Sequence, residues 1–190
     1  AFQEGFLYGI LALGVYLSLR ILNLPDLTCE GSFGFGAAVA AVAASAGHPL
    51  LSLPLALLAG ALAGWTTGFL QTKLRIHPVL AGIITMSGLY TVNLMVMGTT
   101  NLSIGSSNAL FKMLYAGFEL DPMGKKIFGA IASGGIAAFV LLVMILFFKT
   151  HLGMCIRATG DNPDMVRASS IDAERTKRVG LCLANALVAL

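Results

Sequence analysis

Charged residues are scarce in this sequence, at 11% of the chain, whereas hydrophobic residues make up 57%. A soluble domain carries about 25% charged residues, because its surface faces water. The mean hydropathy is +0.85, and several uncharged windows approach the roughly 20 apolar residues that one helical crossing of a bilayer requires. The composition therefore excludes a soluble domain and predicts an all-α, polytopic transmembrane helix bundle.

The sequence also lacks the features of a signal peptide, a P-loop and the second half of its last predicted span. The start, Ala1-Phe2-Gln3-Glu4, lacks the basic residues and cleavage site of a signal peptide, which favours a retained first helix. No G-x-x-x-x-G-K-[ST] segment is present, since Gly124-Lys125 lacks the upstream glycine, and this excludes a P-loop ATPase site. The chain stops inside an apolar run, 179–190, about half a crossing, so we expect it to be a fragment that ends inside a helix.

Hydropathy divides the chain into five complete crossings and the start of a sixth. A break at 23–31 follows the first crossing, a polar loop at 98–124 follows the fourth, and a hydrophilic segment at 149–178 follows the fifth. The predicted spans are about 5–22, 32–46, 50–70, 79–97, 127–148 and the incomplete 179–190.

The basic residues are distributed unequally between the two sides that alternating spans define. One side receives Arg20, Lys73, Arg75, Lys149, Arg157, Arg167, Arg175, Lys177 and Arg178, and the other receives Lys112, Lys125 and Lys126. Cytoplasmic loops carry an excess of Lys and Arg, so we expect 149–178 in the cytosol and the N-terminus outside. The three cysteines, Cys29, Cys155 and Cys182, then lie in the cytosol or the bilayer, and their odd number argues against disulfides.

Glycine recurs at four-residue spacing in the third span, at Gly60, Gly64 and Gly68. Small residues at this spacing let two membrane helices approach closely. A second glycine-rich run, 31–36, does not have the G-x-G-x-x-G spacing of a nucleotide loop, and no strand precedes it. We interpret both runs as helix-packing surfaces.

The hydrophilic segment contains the signals of a very short helix. Asn162 is a good helix cap, Pro163 suits a first turn, and Asp164 lies at the positive end of the helix dipole. The helix can run only to about Ser170, because Asp172 has the features of the next cap. A helix of about eight residues is not stable alone in water, so it needs a surface to rest on.

Local chemistry leaves two interpretations of this helix open. It could be an amphipathic connector on lipid headgroups, with Arg175, Lys177 and Arg178 near anionic lipid. It could equally be a docking helix that receives force from a cytosolic partner.

Three segments together form a wider pattern. They are R-A-T-G-D-N-P-x-x-x-R-A from Arg157, L-P-D-L-T-C-E-G-S-F from Leu24, and L-A-G-I-I-T-M from Leu80. With these segments the chain resembles the permeases of ATP-binding-cassette (ABC) importers, in the group of the branched-chain amino-acid and ribose permeases. The first segment is similar to their cytoplasmic coupling loop. The second is similar to a signature of the tryptophan/tyrosine-type subgroup.

The resemblance implies a type II ABC importer-like permease of the bacterial cytoplasmic (inner) membrane, and not an enzyme. It implies that ATP and Mg are bound by a cytosolic ATP-binding subunit and that this chain binds no cofactor. It further implies an external solute-binding protein, a second permease chain in a homodimer, a lipid bilayer around both, and no nucleic acid. The residues that it assigns to ATPase coupling are Arg157, Gly160, Asp161, Asn162, Pro163, Asp164, Met165, Arg167 and Ala168.

Polar residues in or beside the spans are candidates for the solute pathway. A charge at the bilayer centre costs about 2.5–3.5 kcal/mol on insertion scales, so such residues face the bundle interior or water. The break at Pro25 could dip into the membrane as a discontinuous helix, or it could be a cytosolic turn in which Glu30 caps the next helix. The candidates are Asp26, Thr28, Glu30, Ser32, Thr85, Tyr90 and Asn93.

We therefore expect an importer subunit that moves a small solute, an amino acid and in particular an aromatic one, inward by alternating access. Sugars or nucleosides are alternative solutes within the ABC class. The alternative class is an ion-coupled secondary transporter, which favours paired intramembrane carboxylates, and Asp26 and Glu30 offer one such cluster. A membrane enzyme would need converging acids, bases or metal ligands, and the sequence indicates no catalytic residue and no metal site.

Overall fold

A computed structural model of the chain describes residues 2–99 and 122–190. The predicted loop at 98–124, with its Lys112, lies almost entirely outside the described residues. The helices in chain order are α1, Phe2–Tyr16, continued by a π-helical turn, Leu17–Ile21; α2, Thr28–Ser45; α3, Pro49–Thr72; α4, Pro78–Met97; α5, Pro122–Lys149; α6, His151–Asp161; α7, Pro163–Ala168; and α8, Ala173–Ala189.

Four of the described stretches are long and apolar enough to cross a membrane. Their mean hydropathy runs from 1.3 to 2.6. Large apolar side chains lie exposed along them, including Leu58 and Ile131. A continuous surface of this kind is not compatible with water but suits lipid. The chain is therefore a polytopic transmembrane helix bundle, as its composition predicted. The four stretches are Glu4–Ile21, Pro49–Thr72, Pro78–Met97 and Ile127–Lys149.

Proline and glycine set several of the helix ends. Pro49 and Pro78 occupy the first turns of α3 and α4, where their missing N–H group would have had no helical partner. Gly98 follows α4 with a positive φ of 64°, a conformation that glycine adopts without strain. All six helices of the predicted spans begin earlier than expected, most clearly α2 at Thr28 and not at 32, α5 at Pro122 and not at 127, and α8 at Ala173 and not at 179.

The glycines of α3 lie against α8, which runs antiparallel to it. A Cβ atom on Gly60 would collide with the Asn185 carbonyl oxygen, and one on Gly64 with the Leu181 carbonyl oxygen. On Gly68 it would lie 3.1 Å from the Cα atom of Arg178. The packing role predicted from the four-residue spacing is thus confirmed for this run, and α8 is the partner helix.

The apolar core lies where α1, α6 and α8 meet. It consists of Leu17, Leu22, Ile156, Leu181 and Ala184. At the same place α6 crosses the π-helical turn of α1, and a Cβ on Gly160 would collide with the carbonyl oxygen of Ile21. This close crossing attaches the segment that leads into α7 directly to the transmembrane bundle.

Candidate functional site

The break between α1 and α2 turns back into the bundle. Beyond the π-helical turn, the N–H of Leu24 donates to the carbonyl oxygen of Ser18 at 3.1 Å, which reverses the chain. Asp26 follows and is only 7% exposed. One oxygen of its carboxylate, Oδ1, accepts from the backbone N–H of Thr28 at 2.9 Å, in the first turn of α2.

The other oxygen of Asp26 is bound by α8. Oδ2 accepts from the side-chain amide of Asn185 at 2.7 Å, and the thiol of Cys29 lies 3.9 Å from it. The same amide also donates to the carbonyl of Leu181 at 3.0 Å, and Asn185 Oδ1 accepts from the hydroxyl of Ser32 at 2.6 Å. The fully buried Asn185 therefore joins the break, α2 and its own helix.

A hydroxyl pair connects α2 to α3. Thr28 and Thr67 lie 2.8 Å apart through their Oγ1 atoms, and both are fully buried. Thr28 and Ser32 share one face of α2 because they are four residues apart. Glu30 lies on the other side of the helix and is exposed. The predicted carboxylate cluster is thus divided, with Asp26 inside the network and Glu30 outside it.

The network packs against two residues of α3. Asn185 lies against Gly60, and Thr28 is bonded to Thr67. Both of these α3 residues lie within the span Pro49–Thr72. The break therefore packs against α3 and α8 inside the bundle, and both alternatives for its position, dipping into the membrane or turning in the cytosol, stay predictions.

The candidates on α4 have three different environments. Thr85 is buried and donates to the carbonyl of Ala81 in its own helix at 2.9 Å. Tyr90 is 67% exposed. The Oδ1 atom of Asn93 is buried without a hydrogen-bond partner among the described residues, and a Cβ on Gly34 of α2 would lie 3.3 Å from its Nδ2.

The short helix of the hydrophilic segment is α7, of 6 residues. The Asn162 side chain accepts from the backbone N–H groups of Asp164 and Met165, each at 3.1 Å. Pro163 occupies the first turn. The predicted cap and first turn are confirmed, and the helix ends at Ala168, two residues before the predicted limit of Ser170.

α7 presents most of its side chains outward. The side chains of Asp164 and Arg167 are 88% and 58% exposed, at 3.5 Å from each other, and Met165 is 68% exposed. Ala168 is exposed as well. Val166 alone in this helix is buried, at 4%, and it fixes the inner side of α7. α7 is therefore held on its inner side by Val166 and exposes an apolar residue, Met165, between two charged ones.

The remaining residues of the predicted coupling set lie elsewhere. Arg157, Gly160 and Asp161 line a groove against the end of α1, together with Arg20 and Asn23. Asp161 is the last residue of α6. The structure thus divides the predicted set into the α7 surface and this groove, with Asn162 between them.

Asp172 caps α8 as predicted. Its carboxylate accepts from the backbone N–H groups of Glu174 and Arg175, at 3.1 and 3.0 Å, and lies 2.9 Å from Nε of Arg175. The backbone N–H of Arg175, more than the Arg175 charge, holds the pKa of Asp172 below its usual range. The Asp172 carboxylate is therefore charged at neutral pH and interacts favourably with the positive end of the α8 dipole.

Three participants were not predicted, Asn185, Thr67 and Arg20. Asn185 lies in the apolar run at 179–190. A single amide in such a run indicates a hydrogen bond to a neighbouring helix, because polar groups in membrane helices bond across to neighbours. Across residues 2–99 and 122–190, no group of three or more His, Cys, Asp or Glu side chains could hold a metal ion.

Known proteins were compared with the chain. A tyrosine transport system permease protein of Clostridioides difficile (strain R20291) is 35% identical over 191 residues, which cover 98% of this chain and 60% of that protein. An uncharacterized protein of Rickettsia prowazekii (strain Madrid E) is 32% identical, covering 100% of this chain and 64% of that protein. A probable branched-chain amino acid transport permease protein, LivH, of Methanocaldococcus jannaschii is 27% identical, covering 94% and 58%.

This chain thus spans about three-fifths of the length of these relatives. No solved structure matches it. The family described as the branched-chain amino acid transport system / permease component matches residues 2–190. Because that match covers nearly the whole chain and the helices form a polytopic bundle, the chain belongs to this permease family.

Proposed function

We propose that this chain is the membrane-spanning permease part of an ABC importer, which moves a small solute inward by alternating access. The family match and the relatives support the class. The observation that carries the proposal is α7, a capped helix of 6 residues whose exposed Met165 lies between exposed Asp164 and Arg167. Such a helix suits a docking site for a cytosolic ATP-binding subunit that holds ATP and Mg.

Motion of α7 has a short route into the membrane. The Ile171 N–H donates to the Val166 carbonyl at 3.3 Å, and Asp172 then caps α8. α8 packs against α3 and holds Asp26 through Asn185. A displacement of α7 by the ATPase would therefore move α8 and with it the network where α2 begins, and alternating access would require this network to have a second arrangement.

The solute pathway is proposed to run beside this network. A carboxylate exposed to lipid carries a cost of about 2.5–3.5 kcal/mol, so exposed Glu30 on α2 needs water or a protein partner. On the adjacent α4, the Oδ1 atom of Asn93 is buried without a hydrogen-bond partner among the described residues. A second copy of the permease covering α2 and α4 would enclose both groups in a pore. An external solute-binding protein would deliver the solute to this pore.

An amino acid is the proposed solute, with tyrosine as the first candidate. The support is the name of the relative in Clostridioides difficile, which concerns that protein. Sugars and nucleosides are the alternatives. Uptake of labelled tyrosine, competed by leucine, ribose and adenosine in turn, separates them.

The proposed site is the bacterial cytoplasmic membrane, with the N-terminus outside and α7 in the cytosol. The basic residues support this orientation, since Lys73, Lys149 and Arg157 all lie on the side of α7. Labelling an Asp164→Cys variant with a membrane-impermeant maleimide tests it. Reaction only after the cells are opened is expected, and reaction in intact cells would overturn the coupling proposal.

The coupling role is tested by Met165→Gln in the full-length protein, with its ATP-binding subunit and solute-binding protein. Since Met165 is 68% exposed, the chain should fold normally, but transport and solute-stimulated ATP hydrolysis should fall at least tenfold. The matched control is Met154→Gln, at an exposed methionine of α6 (54%). Equal activity of the two variants would contradict docking at α7.

A secondary transporter is separated from this proposal by its energy source. Uptake that persists after the ion gradients are dissipated, with ATP present, is expected. Uptake that collapses under those conditions would favour the ion-coupled class.

A further inference from the structure

A groove of about 680 Å³ lies where the π-helical turn of α1 meets the end of α5 and the helix α6. Arg20, in the π-helical turn, and Arg157, on α6, both line it, together with Asn23 and Asp161. Among the described residues, neither arginine forms an ion pair. The groove thus holds two guanidinium groups against a single carboxylate.

The backbone explains why these arginines meet. Arg20 belongs to the π-helical turn Leu17–Ile21, and α6 crosses this turn at Gly160, whose missing side chain lets α6 lie against the Ile21 carbonyl. Arg157 is one helical turn before Gly160 on α6, so the crossing brings it to the same groove as Arg20. An arginine pair is well suited to a phosphate group, because each guanidinium can donate two parallel hydrogen bonds.

One part of the groove lining is apolar. Leu19 on α1 and Ile145 on α5 line it and are 50% and 51% exposed. Phe148, near the end of α5, also lines the groove. A free anion or an acidic peptide would leave the apolar wall uncovered, whereas a lipid covers both parts.

We propose that this groove binds an anionic phospholipid, with the phosphate between Arg20 and Arg157 and an acyl chain along Leu19 and Ile145. Basic pockets between transmembrane helices at the cytoplasmic side are a recognised form of anionic-lipid site. The site lies beyond the importer function proposed above, since it needs neither the ATPase nor a solute. Because Asp161 directly precedes the cap of α7, a lipid here would also brace the coupling segment.

The test uses the purified full-length protein in mixed micelles that contain phosphatidylglycerol and phosphatidylethanolamine, with native mass spectrometry to count retained lipid. The wild-type protein should retain phosphatidylglycerol at least fivefold over phosphatidylethanolamine. Arg20→Gln/Arg157→Gln should reduce this preference at least fivefold. The matched control is Lys73→Gln/Lys149→Gln, which removes the same charge at two exposed basic residues outside the groove, and it should keep the preference.

Three results would overturn the proposal. They are no preference in the wild-type protein, equal loss in the groove and control variants, and displacement of the lipid by millimolar inorganic phosphate, which would indicate an anion site without an acyl chain. The wild-type results do not depend on any variant. If the glutamine variant folds poorly, Arg20→Lys/Arg157→Lys replaces it, since it keeps both charges. This lysine variant should retain less phosphatidylglycerol than the wild type does, but still more phosphatidylglycerol than phosphatidylethanolamine.

Discussion

The side-chain amide of Asn185 donates a hydrogen bond of 2.7 Å to the carboxylate of Asp26, although 159 residues separate them in sequence. The carbonyl oxygen of the same amide accepts from Ser32 at 2.6 Å. One side chain of α8 thus provides hydrogen-bond partners for the break after α1 and for the buried face of α2.

Replacing Asn185 by leucine should destabilise the bundle. The change keeps the number and branching of the side-chain heavy atoms but leaves the Asp26 carboxylate and the Ser32 hydroxyl without their shared partner. A buried polar group that loses its partner costs about 1–3 kcal/mol. The measurement is the free energy of unfolding in mixed SDS and mild detergent. Thr85→Val is the control, since that hydroxyl bonds only within α4, and an equal loss in both variants would contradict the role of Asn185.

Two glycine-to-alanine changes should have opposite signs. In Gly64→Ala the new methyl group collides with the α8 backbone, so the two helices must separate, and overpacking of this kind costs about 1–3 kcal/mol. Gly88→Ala meets no atom within 4 Å and gains helix propensity, worth up to about 1 kcal/mol. Thermal unfolding in detergent compares them. A Gly64→Ala variant as stable as Gly88→Ala would show that α3 and α8 do not pack through this glycine.

Removing the cap of α7 should loosen that helix without unfolding the bundle. Asn162→Ala deletes the acceptor of the Asp164 and Met165 N–H groups, at a cost of about 1 kcal/mol. Amide hydrogen exchange of those two residues should accelerate roughly fivefold, while α3 and α8 are unchanged. Asn162→Asp restores an acceptor and should restore protection. Faster exchange in Asn162→Asp as well would mean that the cap does not hold α7.

The Asp172 cap should make the start of α8 sensitive to acid. The pKa of Asp172 is lowered in the folded protein, chiefly by the backbone N–H of Arg175. The carboxylate therefore stabilises α8 above its unfolded pKa of roughly 3.9, and this stability is lost as the pH falls through the lowered folded value. An NMR titration of the labelled Asp172 carboxyl carbon measures the shift.

Two variants resolve the cause of that shift. Arg175→Gln keeps the backbone N–H and should keep most of the lowering, although it removes the partner at 2.9 Å. Asp172→Asn retains a capping oxygen but has no proton to gain, so acid should no longer weaken the first turn of α8. If Arg175→Gln returned the pKa to its usual range, the side-chain charge would be the main cause.

Features that depend on neighbouring residues were predicted well. The caps at Asn162 and Asp172 and the first turn at Pro163 were confirmed, because a cap is decided by two or three consecutive residues. The four-residue glycine spacing indicated a packing face, but the sequence alone did not identify α8 as the helix that covers it.

Features that depend on helix register were not predicted. The second span was expected from 32, whereas α2 begins at Thr28. A start at Thr28 places Thr28 and Ser32 on one face and Glu30 on the other, which separates the two carboxylates that the sequence had grouped. The burial of Asp26 depends on its hydrogen bond to Asn185, 159 residues away in sequence. No local sequence pattern indicates such a long-range contact.

The pairing of Asp26 with Asn185 also sets an order of events during synthesis. Ribosomes add about 5–20 residues per second, so the 159 residues between the two partners take roughly 8–32 seconds. For that time the carboxylate lacks the amide that binds it in the folded bundle, so water or the insertion machinery has to satisfy it. The contact between the break and α8 therefore forms late, and the region around Asp26 reaches its folded arrangement only after α8 has been made.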